Sequence, residues 1–94
     1  MKTEIWKYPL GAICTDLKMP NGSKILTVQI QNDNATLWAI VPTVGTVEQS
    51  RRFRLHPTGA GTHEIKGDYI GTVQQANGLV WHVFEEIHPF GRNQ

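Results

Sequence analysis

The stretch from Lys24 to Pro42 constrains the fold more than any other part of the chain. It reads KILTVQI, then a polar turn QNDN, then ATLWAIVP. Leu26, Val28 and Ile30 alternate with Thr27, Gln29 and Gln31. That period of two marks a half-buried strand, because successive side chains leave a strand on opposite faces. Asn32, Asp33 and Asn34 favour reversal, since Asn and Asp bond nearby backbone and tolerate positive φ. On the return, Leu37, Ala39 and Val41 share one face while Trp38 and Ile40 share the other. A strand that is apolar on both faces is expected to be covered on both, by sheet closure or by a partner.

The same alternation recurs along the chain. Glu4–Leu10 places Trp6 and Tyr8 on one face, with Pro9 marking an edge or a strand end. Cys14–Met19 is a second strand, closed by the turn Pro20-Asn21-Gly22. Thr43–Ser50 reads as a loop. In Arg51–His56, Phe53 and Leu55 point inward and Arg52, Arg54 and His56 outward. Pro57–Gly61 breaks the strand, and Thr62–Asp68 is a polar loop or a brief strand. Tyr69–Gln74 carries an interior Gly71, which predicts a bulge or a close backbone approach. Asn77-Gly78 predicts a type I′ hairpin into Leu79–Ile87, where Leu79, Trp81 and Val83 face one way and Val80, His82 and Phe84 the other. Residues 89–94 read as a frayed tail. Six to seven strands at this spacing predict an all-β fold, a small antiparallel β-sandwich or barrel forming one domain over residues 1–94. No window carries the apolar stripe of a sizeable helix.

Composition narrows the function. The net charge is +1, so no global attraction to nucleic acid or to an anionic membrane follows. With Cys14 alone, neither an intramolecular disulfide nor a cysteine zinc site forms, which fits a reducing cytoplasm. The N-terminus lacks the apolar core of a secretory signal. No apolar run reaches the ~20 residues that span a bilayer.

Three groups of residues are candidates for a site. The first is the basic strand Arg51, Arg52, Arg54 with His56, followed by a loop containing Gly59, Gly61, Thr62 and His63. Arginine forks fit phosphate, and glycine-rich backbone can aim N–H groups at an anion. The competing reading is a solvated strand face beside a long turn, and the spacing is not that of a P-loop. The second group is the four histidines, His56, His63, His82 and His88. They have no metal-binding spacing, so no metal or cofactor is expected. Glu85 and Glu86 point to opposite faces and cannot act as a carboxylate pair. The third group is aromatic. Trp6, Tyr8, Trp38, Tyr69, Trp81 and Phe84 are rich provision for so small a core, and Trp38, Ile40, Trp81 and Phe84 are the candidates for an interface.

The blocks IWKYPL, LWAIV, RRFR, YIGTVQ and LVWHVFE, in this order from about Ile5 to Glu86, resemble a family of small proteins of tailed bacteriophages, prophages and their bacterial hosts. The resemblance implies a mobile-element origin and transfers no catalytic residue. A tighter Gly-Thr-Gly-His turn in relatives is replaced here by the longer segment His56–His63. The resulting expectation is a non-enzymatic accessory binding protein of the host cytoplasm, forming a homo-oligomer and inhibiting a host defence protein or complex. Two alternatives stand beside it. One is a protein that sequesters a phosphorylated or nucleotide signal. The other, ranked lower, is a nucleic-acid-binding barrel.

Overall fold

In a computed structural model, which describes residues 2–61 and 64–86, the alternation becomes seven strands. These are β1 (Thr3–Pro9), β2 (Cys14–Pro20), β3 (Lys24–Gln31), β4 (Asn34–Pro42), β5 (Glu48–Pro57), β6 (Asp68–Gln74) and β7 (Val80–Glu86). They form two antiparallel sheets, ordered β1-β4-β3 and β2-β5-β7-β6. The all-β expectation therefore holds, and the arrangement is a sandwich. Among the described residues no helix is long and apolar enough to cross a membrane.

Local chemistry explains two of the reversals. Asn32 and Asp33 both take positive φ, 52° and 62°, which makes the β3–β4 hairpin a two-residue turn of the primed type. The β6–β7 hairpin does not follow the expected type I′ geometry. Gly78 alone is left-handed there, at φ 90°. Its N–H donates to the Gln75 carbonyl, and the Gln75 N–H donates to the Leu79 carbonyl. That is the pattern of a three-residue loop closed by a left-handed glycine. Leu79 closes this loop just before β7 and is exposed, whereas Trp81 and Val83 pack on the core. Strand β5 also begins earlier than expected, because Gln49 and Glu48 pair with Met19 and Pro20.

The core lies between the sheets. Met19, Leu37, Val41, Phe53 and Val83 are fully buried there. In β3 a bulge between Ile25 and Thr27 shifts the phase, so Ile25, Val28 and Ile30 pack on the core and Leu26 is exposed. β4 is the central strand of its sheet. Leu37, Ala39 and Val41 face inward with no exposed surface, and Trp38 and Ile40 stay half-buried on the outer face. The second covering layer expected for this strand is not supplied by sheet closure.

The sheets meet along β3 and β6. A Cβ on Gly71 would lie 2.8 Å from Val28 Cγ1, so glycine lets the two backbones approach. The Gln75 side chain seals this seam by donating to the Asp33 carbonyl at 2.9 Å. Gly71→Ala is therefore expected to lose about 1–3 kcal/mol, the usual cost of overpacking. In urea denaturation, Val28→Ala should recover part of that loss in the double variant; independent, additive losses would show that the two residues are not in contact.

Candidate functional site

The outer face of the four-stranded sheet carries the chemistry. On β5, Arg52, Arg54 and His56 share this face, as alternation requires. Across the ladder they meet Glu86, Phe84 and His82 of β7. The three arginines of the basic strand do not share one face. Arg51 points the other way, into the core, where its guanidinium forks onto Glu85 with two bonds of 2.7 Å and also donates to the Ser23 carbonyl at 2.6 Å. Both side chains of this ion pair are buried. Arg52 forks onto Asp16, directly opposite on β2. Arg54 forks onto Glu86. Each carboxylate, by accepting from its arginine, pushes that guanidinium's pKa further up. An incoming phosphate would have to compete with a carboxylate already in place. Glu85 and Glu86 do face opposite sides, each fixed by a different arginine.

Beyond Arg54 the face becomes a pocket of about 300 Å³. Phe84 lies between two edge-on rings, His56 at 5.7 Å and Tyr69 at 5.4 Å between centroids. Pro57, Thr58, Gly59 and Ala60 form one wall, and Ile65 reaches in from the segment before β6. His56 faces outward by alternation yet is only 5% exposed. Its Nε2 is buried without a hydrogen-bond partner among the described residues. Such an atom carries the full cost of lost hydration.

His82 is the opposite case, with both ring nitrogens engaged. Nε2 lies 2.7 Å from Thr58 Oγ1 and Nδ1 lies 3.0 Å from Thr72 Oγ1. Thr72 Oγ1 in turn lies 2.6 Å from the Tyr69 hydroxyl. Four side chains thus form one hydrogen-bonded chain along the pocket. Tyr69 and Thr72 are three residues apart, so a regular strand would send them to opposite faces. The register shift between Tyr69 and Gly71 inserts one extra residue and places both on the outer face, Tyr69 opposite Phe84 and Thr72 opposite His82. Gly71 was the sequence signal for that bulge. Tyr69 was expected only as one of the aromatic candidates, and Thr72 and Ile65 were not among the expected site residues.

The other expected site residues are dispersed. Gly59 borders the pocket at φ 82°, and Gly61 is exposed beyond it. Thr62, His63 and His88 lie outside the described residues, as do Ile87 and the tail 89–94. The four interface candidates do not form one surface. Trp81 faces the core, with its indole N–H donating to Gln75, and Phe84 sits in the pocket. Trp38 and Ile40 lie on the outer face of the other sheet. A second pocket, of about 200 Å³, opens beside Leu10, Ile30 and Trp81 and has no ionisable side chain in its lining. Among the described residues no cluster of three or more His, Cys, Asp or Glu is placed to hold a metal.

Fold and site together define a class: a small antiparallel β-sandwich whose outer face carries a histidine- and aromatic-lined pocket. The chain belongs to the family described as "Domain of unknown function (DUF7352)", whose model matches residues 1–94. No curated protein and no solved structure is significantly similar to it.

Proposed function

We propose that the protein is a non-enzymatic binding protein that sequesters a small ligand in the pocket over β5, β6 and β7. The observation that carries this reading is the hydrogen-bonded chain of Thr58, His82, Thr72 and Tyr69 on the lining of an aromatic-walled pocket. Few convergent polar groups among apolar walls is also the usual composition of a ligand site. The phosphate-led version of sequestration is weakened, because Arg51 is buried and Arg52 and Arg54 are paired.

The test is a thermal-shift screen with aromatic and phosphorylated metabolites against the wild type and Tyr69→Ala. A ligand that binds only the native state raises the melting temperature by mass action. At least one compound should do so for the wild type, with binding at least tenfold weaker in Tyr69→Ala. Tyr69 is 59% exposed, so the unliganded variant should melt within a few degrees of the wild type. No shift with any compound would remove the reading.

A second reading, an accessory protein that binds and blocks a host protein or pairs with its own copy, is favoured by the other sheet. There Ile5 of the edge strand β1, 62% exposed, lies opposite the half-buried Ile40, on the outer face that Trp38 shares. Sedimentation over a range of concentrations tests the self-pairing form. A dimer dissociated by Ile5→Lys would support it, and a monomer throughout would exclude it.

A further inference from the structure

Resting on the ligand-binding reading above, we infer that the pocket selects a planar heteroaromatic ring carrying both a hydrogen-bond donor and an acceptor on its edge, as purine-type bases do. The reason lies in the Thr58–His82–Thr72–Tyr69 chain. A neutral imidazole has one N–H and one bare nitrogen, so it polarises the chain in one direction at a time.

With the proton on Nδ1, His82 donates to Thr72, and Thr72 donates to the Tyr69 oxygen. The Tyr69 O–H is then free to donate into the pocket. At the other end Thr58 donates to Nε2 and offers only an accepting oxygen. With the proton on Nε2 every bond reverses: Thr58 becomes the free donor and Tyr69 the acceptor. Either tautomer therefore presents one donor end and one acceptor end, both on residues that line the pocket. A ligand that covers both ends with only donors or only acceptors strips water from one of them without replacing its bond, which costs affinity. The edge-on rings of His56 and Tyr69 about Phe84 leave a site walled by aromatic surface, which suits a flat ring.

The experiment is isothermal titration of the wild type, Tyr69→Phe and Thr58→Val with guanosine, adenosine, their 5′-monophosphates, and indole. Indole has a comparable ring and a donor but no accepting edge atom. Tyr69→Phe keeps the ring and removes one end of the chain. Thr58→Val keeps the side chain's shape and removes the other end. The expected result is that a nucleoside binds at least tenfold more tightly than indole. Each variant should lose about tenfold or more for that nucleoside and little for indole. Equal affinity for a nucleoside and its monophosphate would support recognition of the ring. Binding of a monophosphate without its nucleoside would overturn the inference, because phosphate would then carry recognition. Indole binding as tightly as a nucleoside, or variants that leave nucleoside affinity unchanged, would overturn it while leaving a ligand pocket in place. No binding of any probe would overturn both readings.

Discussion

Glu85→Ala should cost the fold about 3–5 kcal/mol, because it strands the Arg51 guanidinium in the core without its counter-charge. Urea denaturation measures this directly as a fall in the midpoint at unchanged slope. In a small domain of marginal stability such a loss removes a large part of the total. Replacing both partners by apolar residues, Arg51→Met with Glu85→Leu, should restore much of it, since the desolvation penalty of both charges disappears together. A loss below about 1 kcal/mol for Glu85→Ala would show that the pair is solvated, as surface pairs of that value are.

The pair does more than fill the core. Arg51–Glu85 on the inner face and Arg54–Glu86 on the outer face both run diagonally between β5 and β7. A slip of one residue would send each charge to the wrong face. The two pairs therefore fix the register that places Phe84 and His82 opposite Arg54 and His56. The apolar double variant should fold, and its ligand binding then reports how much of the pocket depends on that register.

Gly67→Ala is expected to be nearly as damaging, on the order of 3 kcal/mol, from two causes that add. Gly67 has φ 92°, a conformation that L side chains rarely adopt. A Cβ there would also run into the backbone of β7, 2.8 Å from the carbonyl carbon of Glu85 and closer still to its oxygen. Backbone cannot turn aside as a side-chain tip can. Gly78→Ala is the control. Gly78 has a similar φ of 90°, but open space surrounds its added Cβ. It should cost only the conformational part, about 1–2 kcal/mol. Thermal melts of the two variants should thus differ by several degrees. Equal melts would mean that the segment before β6 does not lie against β7 in solution. That segment carries Ile65 into the pocket, so Gly67→Ala should also weaken any ligand measured there.

Much of this protein is local, and the local part was legible. Period-two alternation located the strands, and Asn-Asp and Pro-Asn-Gly located two of the reversals. The same alternation put Arg52, Arg54 and His56 on one face and separated Glu85 from Glu86. Gly71 announced the bulge. Within the β3 hairpin, alternation failed at Leu26, because a bulge has no marker there as plain as a strand glycine.

What the sequence by itself determined is the set of faces: which side chains in each strand travel together. That follows from backbone geometry within a few residues. Only the tertiary structure decided what each face meets. Arg51 became a buried ion pair because β7, more than thirty residues away, places Glu85 beside it. Arg52 and Arg54 acquired carboxylate partners in the same way, Asp16 and Glu86, with which an anion would have to compete. His56, outward by alternation, became buried in a pocket of Phe84, Ile65 and the Pro57–Ala60 turn. The strand from Asn34 to Pro42 kept its two apolar faces, but the fold covers only one of them. Charge and exposure depend on neighbours that sequence distance does not specify, and the candidate site is made entirely of such neighbours.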